Sequence, residues 1–401
     1  MRKILILVFV WLLVNPLYAQ RAWRFPWTKK VPRTTFQGTT QLSNINISYQ
    51  LDRRMARTFK QARLVHDQLP RDHRIIMGEP IQYIFKTGEL NASELYPDLS
   101  FLKNSAQTGK YLVARNNRLF VQEIRRMKQI WAQIDENLPR LQTEATNTQQ
   151  PDEPISWLAE ILPPTTTQFF IGEAHGYPEI YQFVAQLTHQ LRTHQPNREI
   201  ILFTEFLPEN FKWTGHRPNI TQVPEIFHKY FSIWDQARQA NIQVVGLELP
   251  NAVDDYCKVR YLNAQGTLDK QSVWSSLEGV RLRNERWQKT LAAYRAQHPN
   301  ALFVIYTGAD HSMYNRPFTL TNEKEQTFVS VLYPDRYTSF VPSGRFGGTF
   351  IAKPIRGPLE RLVEELDFQR PVIKWQSPDL AHIAGFDVRL KIPVTLPDVD
   401  N

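Results

Sequence analysis

The sequence predicts an α/β fold: a mostly parallel sheet flanked by helices, with a β-rich C-terminal extension and a largely helical N-terminal region before it. Three observations lead to this prediction. From residue 165 onwards, short apolar segments alternate with amphipathic helical ones, as in sheets with helices on their faces. The segment 199–203 is mainly apolar, as in a strand covered on both faces. The chain has 401 residues, 42% of them apolar, which is enough for a substantial core.

The first 19 residues have the pattern of a signal peptide. Arg2 and Lys3 precede an apolar run over 4–14, and the small residue Ala19 follows as a cleavage point. A membrane span needs about 20 apolar residues, so we predict export to the periplasm or the medium and no transmembrane span. Cys257 is the single cysteine, which excludes an internal disulfide and, being far from the cleavage point, disfavours a lipid anchor.

The next 136 residues are predicted to contain an extended arm, a helical region and a linker. Residues 20–50 have no period and form the arm; residues 51–140 form a basic helical region, with helices at 52–68 and 116–136; residues 141–155 are polar and form the linker. One apolar face marks the second helix: Phe120, Ile124, Met127, Trp131 and Ile134. Residues 1–150 carry a net charge of +12, against +9 for the whole chain. This excess indicates either a solvated helical surface or attraction to an anionic surface; for an exported chain we expect no nucleic acid.

Residues 156–401 are predicted to form the α/β domain. Four strands are expected at 167–171, 199–203, 242–247 and 301–306, and three helices at 178–192, 224–240 and 275–297. The β-rich extension is expected to contain strands at 327–332, 348–355 and 386–392.

Each of the four expected strands is followed by an acid or a histidine at its carboxyl end. In order along the chain, these residues are Glu173, His175, Glu205, Glu248, Asp310 and His311. Because ligands of such sheets bind beyond the carboxyl ends of the strands, these side chains are expected to form one polar site.

Two polar residues on the long helix add to this expectation. Asn284 falls within an apolar stripe, where an amide without a partner would cost about 1–3 kcal/mol. Arg283 lies beside it. The pair either makes structural hydrogen bonds to a strand end or positions a carboxylate or an anionic substrate group.

These residue types are compatible with several chemistries. Histidines and carboxylates suit a divalent transition metal such as Mn, Co, Zn or Fe, which would activate a bound water. Without a metal, a histidine polarised by a glutamate takes a proton from water and Arg283 stabilises an oxyanion. Tyr177 is a candidate haem ligand or a residue that packs at a helix start. A Gly-x-Ser-x-Gly turn is absent, and the run from Gly172 to Gly176 lacks the Lys-Ser/Thr of a phosphate loop.

The order and spacing of these motifs resemble one superfamily. It groups the ChaN-like haem-binding proteins, the TIKI/TraB/GumN-type proteins described as metalloproteases, and the erythromycin esterases. The resemblance covers roughly 165–315 and rests on short motifs: Gly172-Glu173-x-His175-Gly176, Glu205, Arg283-Asn284-x-x-Trp287 and Gly308-x-Asp310-His311. It implies a site formed by Glu173, His175, Glu205 and His311 with Arg283 nearby. The superfamily includes divalent-metal, metal-free and haem-binding members, and the chain lacks the lipidation cysteine of ChaN-like lipoproteins.

We therefore expect an exported hydrolase that acts on an ester or amide bond of a small molecule or peptide. In this hypothesis His175 is the base and Glu173 orients it, and Glu205, His311 and Arg283 are also catalytic. Alternatively, Glu173, His175, Glu205 and His311 are metal ligands. The alternatives are a haem- or iron-binding protein and a non-catalytic adaptor that binds an anionic surface through residues 21–140.

Overall fold

The computed structural model describes residues 57–68 apart from 59, then 105–335, and then 370–394. Within 105–335 the description omits residues 176, 210, 216–229, 249–257, 263–267, 273–276, 317 and 323. The predicted signal peptide, the arm and the strand expected at 348–355 lie outside the described residues. The chain forms two compact units, one from residues within 130–250 and 283–401, the other from residues within 16–129 and 251–282.

The first unit contains a seven-stranded sheet, as the sequence predicts for an α/β fold. The seven strands of this sheet are, in chain order, β1 (Gln168–Glu173), β2 (Ile200–Pro208), β3 (Gln243–Glu248), β6 (Leu302–Gly308), β7 (Thr327–Pro334), β8 (Val372–Lys374) and β9 (Val388–Ile392). Two further strands, β4 (Lys258–Leu262) and β5 (Leu268–Ser272), form an antiparallel hairpin in the second unit.

The spatial order of the large sheet is β3-β2-β6-β1-β7-β9-β8. All neighbours are parallel except β8, which pairs antiparallel with β9. The four strands with polar carboxyl ends are therefore four adjacent strands, since β6 inserts between β2 and β1. The β-rich extension does not form a separate layer, because β7, β8 and β9 continue the same sheet.

The helices predicted at 178–192 and 275–297 have observed bounds within two residues of the prediction, whereas the helix predicted at 116–136 is eleven residues longer at each end. Their bounds are α1 (Ser105–Asn147), α2 (Pro154–Glu160), α3 (Pro178–His194), α4 (Phe231–Gln239), α5 (Leu277–Gln297), α6 (Ala309–Ser312) and α7 (Pro378–Ala384). A proline occupies the first position of α2, α3 and α7, where its missing N–H costs no hydrogen bond. Residues 60–67 are also helical. The predicted apolar face of α1, from Phe120 to Ile134, is buried.

The linker predicted over 141–155 is not what the structure contains. Helix α1 continues to Asn147, with Leu141 and Ala145 fully buried one turn apart. The polar residues that suggested a linker bind backbone groups instead. Thr148 Oγ1 accepts the Lys374 N–H at 3.2 Å, and Glu144 accepts the N–H groups of Gln376 and Ser377 at the start of α7. Polar side chains that satisfy a neighbouring strand and helix end therefore gave the same pattern as a solvated linker.

Both faces of the sheet are covered, and most strand residues are fully buried. Such burial explains why the first four residues of β2 and of β6 are continuously apolar rather than alternating. Strands β1 and β2 extend two and five residues beyond their predicted carboxyl ends, so Glu173 and Glu205 lie within strands rather than after them. Among the described residues, no helix is long and apolar enough to cross a membrane.

Candidate active site

The site lies at the carboxyl edge of the four adjacent strands β3, β2, β6 and β1. Glu248 ends β3, Glu205 lies in β2, and Glu173 ends β1. His311 belongs to α6, the short helix that follows β6 directly. The register places Glu173 level with Gly308 and Thr204 level with Tyr306. The strand order thus brings together residues that are up to 138 positions apart in the sequence.

Glu173 is a fully buried carboxylate that is held by three donors. Its Oε1 accepts hydrogen bonds from the Tyr230 hydroxyl at 2.8 Å and from His175 Nδ1 at 2.7 Å, and its Oε2 accepts one from the Tyr306 hydroxyl. Burial, with the charge of Glu173 beside them, raises the pKa of both tyrosine hydroxyls well above the usual range. Both tyrosines therefore remain donors at any physiological pH, and Glu173 remains fixed in place.

His175 bridges two carboxylates. Its Nδ1 contacts Glu173 and its Nε2 lies 3.2 Å from Glu205 Oε1, while the side chain stays 18% exposed. Burial alone would lower the pKa of His175, but the hydrogen bonds and charges of Glu173 and Glu205 outweigh it and raise the pKa to about 10. At neutral pH this residue is consequently an imidazolium with both nitrogens engaged, and it has no lone pair with which to accept a proton.

Gly308 makes room for the pair of His175 and Glu205. A Cβ atom at this position would lie 2.8 Å from His175 Nε2 and 3.6 Å from Glu205 Oε1. Gly172 has a similar role beneath α6, where a Cβ would lie 2.8 Å from the Ala309 Cα. The two glycines therefore let α6 and the His175 ring approach the sheet edge closely.

Glu205 is the centre of the cluster. Burial favours its neutral form, but the hydrogen bond from His175 and the surrounding positive charges hold its pKa at about 2. Its Oε2 is buried and accepts no hydrogen bond from any described residue. That oxygen lies 3.6 Å from His311 Nε2 and 3.8 Å from Arg283 Nη2. A charged oxygen without a donor in its shell is costly unless a ligand supplies one.

His311 has the opposite protonation state from His175. Its Nδ1 lies 2.6 Å from Asn284 Oδ1, and the Asn284 amide donates to the Phe318 carbonyl at 2.6 Å. Burial and the neighbouring charge of Arg283 lower the pKa of His311 to about 4. The ring of Trp287 packs against it, 4.7 Å between centroids. His311 is thus a neutral imidazole at neutral pH.

Arg283 completes the charge balance. It forms an ion pair with Glu248 at the end of β3, and its guanidinium lies 4.8 Å from the centroid of the Trp287 ring. Its side chain is 16% exposed. Arg283 thus contacts a strand-end carboxylate and also faces Glu205, whereas Asn284 contacts His311 on α6 and the Phe318 carbonyl.

Two predicted site residues lie away from this cluster. The Asp310 side chain is 62% exposed and pairs with Arg316 at 2.9 Å. Asp310 and His311 are neighbours on α6, so their side chains point in different directions and only His311 enters the cluster. Tyr177 is 5% exposed and belongs to the hydrophobic core at the start of α3. Tyr177 therefore packs at the helix start, and its buried side chain is not exposed to a haem group.

The metal ligand set implied by the resemblance does not fit this arrangement. Glu173 accepts hydrogen bonds from three donors, and both ring nitrogens of His175 face carboxylates. Within the described residues, no group of three or more His, Cys, Asp or Glu side chains converges as metal ligands would.

Tyr230, Tyr306 and Phe318 are site residues that sequence reasoning missed. Tyr306 lies inside an apolar strand and Tyr230 on an amphipathic segment, so both have the pattern of core residues. The sequence signal that was available is the position of Tyr306 only two residues before Gly308. Phe318 contributes only its carbonyl group, which no sequence pattern reveals.

Comparisons with known proteins give no assignment. No protein-family model matches this chain, and no curated protein matches it. Among solved structures, the chain has a distant similarity to the type III effector HopBA1, with 13% sequence identity and a TM-score of 0.33. The match covers 47% of this chain and 87% of that one. A TM-score this low carries no argument about fold or function.

Proposed function

We propose that the protein is a hydrolase of ester or amide bonds and that neutral His311 is its general base. The observation that carries this proposal is the relation between His311 Nε2 and the Glu205 Oε2 atom, which lie 3.6 Å apart in a buried site. Both are acceptors, so a group that bridges them from the open side is one that donates hydrogen bonds. Water, the nucleophile of hydrolysis, donates two.

The proposed reaction follows from these protonation states. His311 Nε2 takes a proton from the water as the water oxygen attacks the acyl carbon. The same proton then passes from the His311 imidazolium to the leaving oxygen or nitrogen as the acyl bond breaks. Glu205 orients the water and stabilises the transient imidazolium. The net reaction consumes one water and releases an acid together with an alcohol or an amine.

His175 and Arg283 have an electrostatic role in this proposal. Both are cations beside Glu205, and they favour negative charge that develops on the acyl oxygen. Glu173, Tyr230 and Tyr306 orient His175. This assignment differs from a scheme in which His175 is the base, because an imidazolium with a pKa of about 10 accepts no proton at neutral pH.

The resemblance to the superfamily of ChaN-like, TIKI-type and esterase proteins supports the same class of reaction and remains a proposal.

Export through residues 1–19 is proposed on the sequence pattern. N-terminal sequencing of the protein secreted or released from the periplasm would place the mature start near residue 20; a start at Met1 would contradict export by this peptide.

The test is a screen of the purified protein against chromogenic carboxylic esters and aryl amides. His311→Gln and Glu205→Gln are expected to lower any activity found by about 10²–10⁴-fold. The matched control is His298→Gln. His298 also pairs with a glutamate, Glu199 at 2.9 Å, but this pair lies at the amino end of β2. Equal activity in wild type, His311→Gln and Glu205→Gln would overturn the proposal, and a Soret band with added haemin would favour haem binding.

A further inference from the structure

A chain of hydrogen bonds connects a loop backbone to the proposed base. The Phe318 carbonyl accepts from Asn284 Nδ2, and Asn284 Oδ1 faces His311 Nδ1, each at 2.6 Å. We propose that Asn284, oriented by the Phe318 carbonyl, is a positioning residue that holds His311 in the tautomer with its proton on Nδ1. The inference deepens the proposed function and rests on it for its catalytic meaning.

The donor and acceptor roles leave one arrangement. A carbonyl oxygen only accepts, so the nitrogen of the Asn284 amide must face Phe318. The amide oxygen, which also only accepts, is then the atom that faces His311. A neutral imidazole has one N–H, and here that N–H must be on Nδ1 to donate. The lone pair of His311 is therefore on Nε2, the nitrogen that faces Glu205.

The Phe318 carbonyl is held in place by the loop around it. Phe318 has φ of 58°, a left-handed conformation that is uncommon for a bulky residue and indicates that the surroundings determine it. The Leu320 N–H donates to the His311 carbonyl at 2.9 Å, and Gln288 donates to the Thr319 carbonyl at 3.2 Å. Helices α5 and α6 thus both hold the loop directly after the carbonyl that orients Asn284.

The other charged groups near His311 do not replace this contact. Arg283 approaches from α5, Glu205 from β2, His175 follows β1, and Asp310 precedes His311 on α6. None of them makes a hydrogen bond to Nδ1 among the contacts of the described residues. Asn284 is 1% exposed, so water does not readily substitute for its amide.

The experiment is a two-dimensional ¹H–¹⁵N spectrum of the full-length protein labelled with ¹⁵N-histidine, recorded at pH 7. The His311 signals are assigned by their loss in His311→Gln. In wild type we expect a protonated Nδ1 and an unprotonated Nε2 for His311. Asn284→Leu removes the acceptor and should move the proton to Nε2, where Glu205 can accept it. Asn284→Asp keeps an acceptor at Nδ1 but adds a second carboxylate beside His311, so His311 should keep its Nδ1–H and also be protonated on Nε2, as His175 is.

Gln288→Ala is the matched control. It removes another contact from α5 to the same loop without touching His311, and the Nδ1–H tautomer should persist. A wild-type His311 protonated on Nε2 would overturn the inference, as would an unchanged tautomer in Asn284→Leu. If Asn284→Leu does not fold, the inference is tested by the wild-type and Asn284→Asp spectra, in which Nδ1 of His311 should be protonated.

The effect of Asn284 on catalysis is tested by a separate measurement. On a substrate found in the screen, Asn284→Leu should lower kcat at least tenfold with KM changed less than threefold, since the base rather than the binding surface is altered. If the wild-type tautomer is as inferred and no hydrolysis is found, the proposed function fails while the role of Asn284 stands.

Discussion

Glu205 Oε2 and His311 Nε2 lie 3.6 Å apart, and the first of these atoms accepts no hydrogen bond from the described residues. The same carboxylate binds His175 through its other oxygen at 3.2 Å. Glu205 thus lies between a charged histidine and a neutral one. Because the two imidazoles are in opposite protonation states, the site separates a fixed cation from a free base, as general acid–base catalysis requires.

His311 predicts a loss of stability on the acid side. Its pKa falls from 6.5 to about 4 on folding, so between these values the unfolded chain binds more protons and stability decreases as the pH falls. The free energy involved is on the order of 1–3 kcal/mol. In His311→Gln, urea unfolding should show a flatter dependence on pH from 6.5 down to 4. The same slope in wild type and variant would contradict a buried neutral His311.

His175 predicts the opposite dependence on the alkaline side. Its pKa rises from 6.5 to about 10, so its contribution is complete below pH 6.5 and is lost as the pH rises through about 10. In His175→Gln, the decline in unfolding midpoint between pH 6.5 and 10 should be smaller than in wild type. His298→Gln is the control and should keep the wild-type decline. An unaltered alkaline decline in His175→Gln would show that His175 is not the imidazolium described here.

Tyr306 and Tyr230 stabilise the buried carboxylate of Glu173. Removing either hydroxyl leaves Glu173 with one donor fewer, so Tyr306→Phe and Tyr230→Phe should each lower the free energy of unfolding by about 1–3 kcal/mol. The double variant should deviate from additivity by about 0.5 kcal/mol or more, because both hydroxyls serve one carboxylate. Tyr294→Phe, whose ring packs edge-on against Phe203, is the control. Additive effects in the double variant would contradict a shared network.

Gly308 predicts a sharp dependence of activity on one methyl group. In Gly308→Ala the new Cβ would lie 2.8 Å from His175 Nε2, so the ring must move away from Glu205. Since displacements of about 1 Å in a site cost up to 10²-fold in rate, kcat/KM should fall at least tenfold. A crystal structure of the variant should show the longer distance from His175 to Glu205. Wild-type activity in Gly308→Ala would mean that this pair is not needed.

The sequence was sufficient for β1, β2, β3, β6, β7 and β9 and for most of the site, because these depend on local patterns, but it did not predict β4, β5 or β8. Apolar runs mark β1, β2, β3 and β6, and the carboxyl ends of parallel strands share one edge. The insertion of β6 between β2 and β1 is a long-range pairing, and no local pattern encodes it. This pairing is what brings His311 to Glu205.

The remaining differences have equally specific causes. Whether Asp310 or His311 enters the site depends on the direction in which α6 leaves β6, and the two neighbours differ in exposure accordingly, at 62% and 9% of their side chains. The end of α1 resembled a linker because Glu144, Thr148 and Gln150 bind backbone groups of α7 and β8 rather than water. Polarity in a sequence indicates a need for partners but not which partners meet it.

The dependence of kcat/KM on pH, measured on a substrate from the ester and amide screen, tests the central claim most directly. With His311 as the base, kcat/KM should rise as the pH increases through about 4 and then remain level. It should fall again near 10, where His175 loses its proton and with it the positive charge beside Glu205. Activity that is absent at neutral pH and appears only as the pH approaches 10 would identify His175 as the base and contradict the account.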